Sequence, residues 1–335
     1  MPRLPQAVAA VCDHRENPSA VTDRRYRMGP LCMLAILALT FALPIRAAES
    51  SEPAPLAAKS LLLDLARAGD RLVAVGDRGH VLLSDDEGRT WRQVIVPTRA
   101  MLTGVSFGDT RHGWAVGHDG VILATTDAGE SWTLQNSGLD LEAVLLDVLF
   151  LDATRGFAVG AYGKCLATTD AGRTWTALAV SEDESHFNAI VAGPGGRLYL
   201  PGEAGTLMVT PDGRKWERLE VPYDGSLYGL LPLGEQGLLI YGLRGRVFAS
   251  ADLGTDWAPR DTHPPVLIAA GVRLKSGGVV LAGLGGNFHV SRDDGATFRH
   301  WQPTEYTGGV SALLETADSA LLVAGEKGVA RLTLP

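Results

Sequence analysis

The sequence is poor in cysteine and has no segment with convincing helical periodicity. It contains three cysteines among 335 residues, and only Cys165 lies beyond residue 47. Without the first 47 residues no intrachain disulfide could form, so stability would have to come from packing. Cys165 stands in an apolar strand pattern and is interpreted as a small buried hydrophobic residue.

Charged residues are also scarce, at 20% of the chain, and the formal net charge is −8. An acidic protein is a poor partner for nucleic acid or anionic lipid, so neither is expected as a ligand. The eight histidines form no cluster with cysteine or one another at metal-ligand spacing. No phosphate-binding loop opens a helix. We therefore expect no metal and no cofactor.

Only one long hydrophobic run occurs, "GPLCMLAILALTFALPI" at 29–45, after Arg24, Arg25 and Arg27. A basic stretch, a short apolar run and a small-residue exit predict a signal peptide cleaved near Ala47. The mature protein would then be exported, for example to a periplasm. The alternative is an uncleaved membrane anchor, for which the run is short. A translation start at Val21 or Met28 would account for the first twenty residues, which resemble no targeting segment.

Glycine, in contrast, is abundant, with 40 residues, and one motif recurs. "ATTDAGESW" (124–132) returns as "ATTDAGRTW" (167–175), and related copies lie at 84–91, 209–216, 250–257 and 291–298. The closing aromatic residues are spaced by 41, 43, 41, 41 and 41 positions, with Trp216 closing the fourth copy. That copy has Pro211 at the usual Asp position and Asp212 after it, which predicts a different turn. The repeated Asp, Gly and aromatic residues of the other five copies are Asp86, Gly88, Trp91, Asp127, Gly129, Trp132, Asp170, Gly172, Trp175, Asp252, Gly254, Trp257, Asp293, Gly295 and Phe298.

A Gly-x-x-Gly turn precedes each copy, and a seventh turn at 325–328 has no copy after it. Each unit reads as four short strands, and four strands repeated every 40–45 residues predict a β-propeller. Residues 141–150 could pass for a helix, but they align with the strand at 102–107. The sequence thus predicts an all-β, seven-bladed propeller of four-stranded antiparallel blades over 61–335. The last unit is incomplete, so residues 48–60 are expected to supply its outer strand and close the ring, with 1–47 as signal peptide and upstream residues.

The chemistry of the motif suits a turn between the third and fourth strands. The Asp carboxylate can accept backbone N–H groups, and the Gly can adopt a left-handed conformation without steric cost. The aromatic residue can pack against the neighbouring blade. These are architectural roles, so we predict no catalytic function for the motif.

The motif resembles the Asp-box, or BNR, repeat, and it covers nearly the whole chain beyond residue 47. The segments "GWAVGHDGVILATTDAGESW" (113–132) and "GFAVGAYGKCLATTDAGRTW" (156–175) are similar to the repeats of the photosystem II stability/assembly factor family. That resemblance implies an exported, non-catalytic scaffold in a periplasm or a compartment like the thylakoid lumen. Such a scaffold binds a protein partner and helps to assemble a membrane complex. In bacteria without photosynthesis, the partner implied is an envelope transporter or another membrane assembly. We expect a monomer.

The Gly-x-x-Gly turns and the connections between blades should share the face opposite the repeated motif, and they vary in sequence as a binding surface can. Tyr and Arg are common interface anchors. The alternative is that they are ordinary solvated loop residues. The candidate partner-binding residues on this face are Arg78, Arg99, His118, Asp119, Tyr162, Glu182, His186, Tyr223, Tyr228, Arg244 and Tyr306.

A second class of function is a glycan-binding or glycan-cleaving propeller, because Asp-box repeats also occur in sialidases. A sialidase needs an arginine cluster, a Tyr–Glu pair and an acidic proton donor. No "FRIP"-like segment is present, and the sialidase ring has six blades. Paired carboxylates with raised pKa values in the channel mouth would favour this alternative, whereas aromatic and Arg patches would favour the scaffold.

Overall fold

The computed structural model describes residues 49–135, 138–139 and 142–335, all within the compact unit Ala47–Pro335. The predicted signal peptide and its cleavage site lie outside the described residues. The prediction of a seven-bladed β-propeller is confirmed: the strands form seven consecutive antiparallel sheets, or blades, arranged in a ring. The segment at 142–150 that resembles a helix contains a strand.

The blades follow one another along the chain, and strands within a blade pair in sequence order. Blades 1 and 2 contain β1 (Leu62–Ala68), β2 (Arg71–Gly76), β3 (Val81–Ser84), β4 (Arg92–Val94), β5 (Leu102–Phe107), β6 (Gly113–Gly117), β7 (Ile122–Thr125) and β8 (Thr133–Gln135). Blades 3 and 4 contain β9 (Leu145–Phe150), β10 (Gly156–Gly160), β11 (Cys165–Thr168), β12 (Thr176–Ala177), β13 (Val191–Ala192), β14 (Leu198–Pro201), β15 (Leu207–Thr210) and β16 (Glu217–Arg218). Blades 5 to 7 contain β17 (Leu227–Leu233), β18 (Gly237–Gly242), β19 (Val247–Ser250), β20 (Ala258–Arg260), β21 (Ile268–Arg273), β22 (Val279–Gly283), β23 (Phe288–Ser291), β24 (Arg299–Trp301), β25 (Val310–Glu315), β26 (Leu321–Gly325) and β27 (Gly328–Leu332).

The helical elements of the described ranges are five 3-10 turns, at Ala57–Lys59, Asp77–Gly79, Pro194–Gly196, Leu243–Gly245 and Leu284–Gly286. None of the described helices has the length and hydrophobicity needed to span a membrane.

The core lies between the blades because each sheet is apolar on both faces. The second strands β6, β10, β22 and β26 are buried along their whole length. Between blades 1 and 2, Val73 and Leu83 pack in one cluster with Val105, Leu123 and Trp132. Burying both faces of every blade in this way requires a ring, since a single blade would leave its apolar faces in water.

The ring closes between blades 7 and 1, where residues far apart in sequence meet. The Arg89 guanidinium lies 2.7 Å from the Asp318 carboxylate, and Glu87 accepts the Ala317 N–H at 2.8 Å. The inner strands β1 and β25 are neighbours across the same junction. The ring therefore closes by direct contact of the first and last blades.

The N-terminal segment contributes to closure, but not as the predicted strand. Residues Ala57–Lys59 form a 3-10 turn that contacts β27, and among the described residues blade 7 has three strands. Pro53 and Pro55 explain the difference, because proline has no N–H to donate to a strand ladder. Upstream of the turn, Ser51 donates its N–H to the Val96 carbonyl of blade 1 at 2.9 Å. The segment thus bridges blades 1 and 7.

One buried residue of blade 6, His289, is polar where the equivalent residues of blades 1 to 5 are apolar. His289 is 1% exposed, and neither ring nitrogen has a hydrogen-bond partner among the described residues. Burial lowers its pKa to about 4, with smaller contributions from the nearby His300 and His263. The equivalent residues of blades 1 to 5 are apolar: Leu82, Leu123, Leu166, Met208 and Phe248.

We expect His289→Leu to stabilise the protein by about 1–3 kcal/mol, the cost of a buried unsatisfied polar group. The folded-state pKa lies below the ordinary 6.5, so the wild type loses stability as pH falls from 6.5 towards 4. The gain in melting temperature should therefore be larger at pH 5 than at pH 8. The matched control is His300→Leu, because His300 is exposed and bonded to Asn287. An equal or lower melting temperature for His289→Leu at pH 5 would contradict this interpretation.

Candidate functional site

The repeated motif forms a hydrogen-bonded turn between the third and fourth strands of its blade. In blade 1 the Ser84 hydroxyl donates to Asp86 Oδ1 at 2.8 Å, and the same oxygen accepts the Thr90 N–H at 2.8 Å. Asp86 Oδ2 accepts the Thr90 hydroxyl at 2.6 Å. The bonds from Thr90 and Ser84 lower the pKa of Asp86 to about 2. The carboxylate is thus occupied within its own turn. Equivalent bonds occur around Asp127, Asp170, Asp252 and Asp293.

The turn also contacts the preceding blade. A Cβ on Gly129 would lie 3.1 Å from Leu83 of blade 1, and one on Gly213 would lie 2.4 Å from Phe157 of blade 3. Trp114 of blade 2 donates its indole N–H to the Ala171 carbonyl in the turn of blade 3. We call these turns the repeated acidic turns. Their contacts hold neighbouring blades together, so they have a packing role.

The fourth copy has a shorter turn, as its sequence predicts. Thr210 donates to Asp212 Oδ1 at 3.3 Å, so Asp212 takes the part that Asp86 has in blade 1. The same hydroxyl accepts the N–H of Gly213 three residues on, whereas in the other five copies this spacing is four. One residue with positive φ, such as Ala128 in blade 2, is missing from this turn.

The Gly-x-x-Gly turns lie beside the connections between blades, on the face opposite the repeated acidic turns. Gly120 donates its N–H to the Ala143 carbonyl, and Gly163 donates to Ser185. The residue before the second Gly is left-handed in six blades: Arg78, Asp119, Tyr162, Ala204, Arg244 and Gly285. We call the equivalent positions of these six residues the tip positions. Five of them carry a side chain, and the sixth is Gly285.

An aromatic cluster lies on this variable face at blades 3 and 4. Tyr162 is 67% exposed and packs edge-on against His186, with ring centroids 4.9 Å apart. His186 Nδ1 lies 3.5 Å from Glu203 Oε1, and Glu182 is exposed in the acidic connection just before His186. The cluster brings together two of the residues predicted from the sequence, Tyr162 and His186, and adds Glu203.

A second group of the candidates lies at blade 5. Tyr223 is part-buried and donates its hydroxyl to the Leu243 carbonyl at 3.0 Å. Arg244 is exposed, and both Arg244 and His263 line a cavity of about 350 Å³. Tyr223 lines a neighbouring cavity of about 430 Å³.

The remaining candidates are dispersed. Arg78 pairs with its neighbour Asp77 at 3.5 Å, and Arg99 pairs with Glu52 at 3.0 Å. His118 is part-buried beside the exposed Asp119. The prediction that Tyr306 lies on the binding surface is wrong. Tyr306 is 2% exposed in the core between blades 6 and 7, and its hydroxyl donates to the Gly309 carbonyl. A buried Tyr with a backbone acceptor is a core residue, so Tyr306 offers no surface.

The central channel holds a pair of acidic residues that the sequence analysis missed. A cavity of about 270 Å³ is lined by the inner strands of all seven blades, including Asp64, Asp147 and Tyr228. An irregular register on six inner strands turns two consecutive residues towards the channel, as a β-bulge does. Blade 4 has a similar arrangement, in which Asn188 and Ala189 both donate their N–H groups to the Pro201 carbonyl. In five of the seven blades the second residue is small: Gly104, Ala189, Gly229, Ala270 and Ala312. Asp64 and Asp147 are the exceptions.

Each channel carboxylate is bonded across to the next blade. Asp64 Oδ2 accepts the Val105 N–H at 2.8 Å, and Asp147 Oδ2 accepts the Ile190 N–H at 2.8 Å. The other oxygen of each carboxyl accepts the N–H of the residue that follows it. Desolvation, and secondly the charge of Asp147, raise the pKa of Asp64 to about 8, while desolvation raises that of Asp147 to about 6. The pair links blades 1 to 2 and 3 to 4.

Within the described ranges, no three His, Cys, Asp or Glu residues are placed to hold a metal ion together. Cys165 is buried, and burial raises the pKa of its thiol to about 12. A thiol held in its protonated form is a weak nucleophile, so we assign Cys165 no chemistry.

The geometry defines a seven-bladed propeller with one repetitive, internally bonded face and one variable face around an acidic channel. The chain belongs to the family described as photosynthesis system II assembly factor YCF48, whose profile matches residues 83–140 and 134–311. The resemblance stated from the repeats is thereby confirmed.

Individual relatives agree with this assignment. A 47-residue segment is 45% identical to the chloroplastic photosystem II stability/assembly factor HCF136 of Cyanidioschyzon merolae. That match spans 13% of this chain and 11% of the relative's length. The structure described as YCF48 bound to D1 peptide has a TM-score of 0.69 and 21% identity, covering 88% of this chain and 99% of its own.

The fold also resembles that of an enzyme. A streptogramin B lyase structure has a TM-score of 0.67 and 14% identity, covering 86% of this chain and 97% of its own. The fold is therefore shared with an enzyme as well as with assembly factors.

Proposed function

We propose that this protein is an exported, non-catalytic scaffold that binds a protein partner with its variable face and assists a membrane complex. Membership of the YCF48 family supports an assembly role. A similar propeller has been solved with a bound D1 peptide, which supports a peptide or protein as ligand. The basic and apolar segment before Ala47 supports export to a periplasm or a lumen.

The observation that carries the proposal is the nature of the tip positions. Arg78, Tyr162 and Arg244 adopt a left-handed conformation, which costs an L-residue about 1–2 kcal/mol that glycine avoids. Gly285 occupies the same position in blade 6, so glycine fits there. Retaining exposed Arg and Tyr in a strained position favours a role for their side chains, because strain persists at binding sites.

The acidic pair of the channel is the observation that favours a glycan-directed enzyme as the second candidate. Two carboxyls with raised pKa values in a central cavity satisfy one requirement of a glycosidase. Against this, each carboxyl uses both oxygens to accept backbone N–H groups, and the cavity lining contains no arginine for an anionic sugar. The cross-blade bonds give both residues a structural role without catalysis.

The test is capture of detergent-solubilised membrane proteins from the source organism by the immobilised protein. The double variant Tyr162→Ala, Arg244→Ala should recover about tenfold less of a single complex, because losing two interface anchors costs at least about 1.4 kcal/mol. Leu134→Ala is the control, since Leu134 is 47% exposed on an outer strand away from the variable face. Equal recovery by all three proteins would contradict the proposal. Hydrolysis of a glycoside panel, abolished by Asp64→Asn, would support the enzyme instead.

A further inference from the structure

We propose that the outer edge of β27 is a docking edge for an extended segment of a protein partner, which adds there as an antiparallel fourth strand. The inference rests on the proposed function only in taking the partner to be a protein. In the described residues, blades 1 to 6 each carry a short outer strand paired with the third strand. Among the same residues, blade 7 has β27 as its outermost strand, and no described strand pairs with the outer edge of β27.

The pairing of β27 with β26 shows which backbone groups are open. The loop between them has two residues, and the register pairs Gly325 with Gly328, Val323 with Ala330, and Leu321 with Leu332. Pairs that flank a two-residue loop exchange hydrogen bonds, and bonding pairs alternate along an antiparallel ladder. The N–H and C=O groups of Ala330 and Leu332 therefore point to β26. Those of Val329 and Arg331 point outwards, and no described residue bonds to them.

The complete blades show how such groups are used. Cys165 and Leu207 occupy in blades 3 and 4 the position of Val329 in blade 7. Each accepts an N–H from the outer strand, from Leu178 and Leu219 respectively, at 2.8 Å. The outer strands there, β12 and β16, are only two residues long. Two outward residues on β27 are therefore enough for an equivalent strand.

The described part of the N-terminal segment, residues 49–60, does not take this place. Its 3-10 turn packs at the start of β27, where a Cβ on Gly328 would lie 2.0 Å from the Ala58 carbonyl oxygen. The chain then continues into β1 at Leu62. Pro53 and Pro55 make the preceding residues poor ladder partners. The backbone groups of Arg331 stay open beside the turn.

The outer strands of the six complete blades also indicate which residues a docked partner segment would carry. In four of the six complete blades the outer strand has the pattern aromatic-x-x-apolar: Trp91 to Val94, Trp175 to Leu178, Trp216 to Leu219 and Phe298 to Trp301. Val94 lies opposite Val81 and is 8% exposed. A partner segment with this pattern would place its apolar residue opposite Val329, and backbone bonds would supply the rest, as in β-strand addition.

The probe is a synthetic peptide that copies residues 88–96, "GRTWRQVIV". Its control carries an N-methyl group at the copy of Val94, which removes the N–H that would bond the Val329 carbonyl. Hydrogen–deuterium exchange of the full-length protein is measured with each peptide. We expect the Arg331 amide to exchange at least tenfold faster than that of Ala330 in the free protein. Saturating peptide should slow it at least tenfold, and the N-methylated peptide should not.

Protection of Arg331 equal to that of Ala330 in the free protein would overturn the proposal, because the edge would already be covered. Sedimentation would then show whether a second copy or the chain itself covers it. Equal slowing by both peptides would also overturn it. Failure of the membrane-protein capture would leave these exchange results unchanged, so the two proposals fail separately.

Discussion

As the pH rises from 4 to 8, the wild-type protein is expected to become less stable. The double variant Asp64→Asn, Asp147→Asn should not show this loss. Burial raises the pKa of Asp64 from 3.8 to about 8 and that of Asp147 to about 6. The folded state therefore binds more protons than the unfolded state in this range, and stability falls as pH rises. The fall begins near pH 4, where the unfolded carboxyls ionise, and is complete above pH 8.

The size of this effect follows from the shifts, because one pKa unit corresponds to about 1.4 kcal/mol. The two carboxyls titrate as an interacting pair, so the pH dependence of several kcal/mol is expected of the pair as a whole. Denaturant unfolding at pH 4, 6 and 8 measures the difference between wild type and double variant. Each Asn keeps one oxygen acceptor, so the variant should be the less stable at pH 4 and should gain on the wild type as pH rises.

The matched control is Asp293→Asn, where the sign is opposite. Bonds from Thr297 and Ser291 lower the pKa of Asp293 to about 2, so its contribution is present above pH 4 and is lost as pH falls towards 2. A wild type and channel variant whose difference stays constant from pH 4 to pH 8 would show that the channel carboxyls are not buried as described.

Removing residues 49–60 is expected to lower the melting temperature sharply, because this segment bridges blades 1 and 7. Deletion loses the bonds between Ser51 and Val96, the bond from Ala54 to Gln93 and the bond of Ser60 to His80. At about 1 kcal/mol per bond, together with the apolar contacts of Ala57, the loss is about 4–5 kcal/mol. For a protein of this size that is about 10 °C, measured by calorimetry.

The Gly328→Ala variant tests the contact between the N-terminal segment and blade 7 by adding a single carbon atom, the alanine Cβ. Gly328 has φ of +79°, and the new Cβ would lie 2.0 Å from the Ala58 carbonyl oxygen. The control is Gly234→Ala, at φ +71° with no atom within 4 Å, which carries only the backbone strain. We expect Gly328→Ala to cost about 2 kcal/mol more than its control, as overpacking does. In the protein lacking residues 49–60 this excess should vanish, since Ala58 is gone. An excess of equal size in both backgrounds would contradict the described junction.

The repeats made most of the fold predictable. Seven Gly-x-x-Gly turns and six acidic turns at nearly constant spacing fix the number of blades, and the third and fourth strands begin where the turns end. Local sequence also predicted the altered fourth turn at Pro211. Closure was less predictable, because it depends on contacts such as Arg89 with Asp318, which no periodicity connects.

The candidate site was only partly predictable for a similar reason. Residues at the tip positions could be located because the repeats align them, as with Tyr162 and Arg244. Tyr306 looked identical to an exposed loop Tyr, since its backbone acceptors Gly309 and Gly328 come from tertiary packing. Asp64 and Asp147 left a usable signal: an acidic residue where most inner strands have Gly or Ala.

The central claim is that the repeated acidic turns hold the blades together and do no chemistry, while the opposite face binds the partner. The most direct measurement compares Asp127→Ala and Asp170→Ala with wild type, by calorimetry and by capture of the membrane complex well below the melting temperature. We predict a lower melting temperature for both variants and unchanged capture per folded molecule. An unchanged melting temperature together with loss of capture, or of a measurable turnover, would contradict the account.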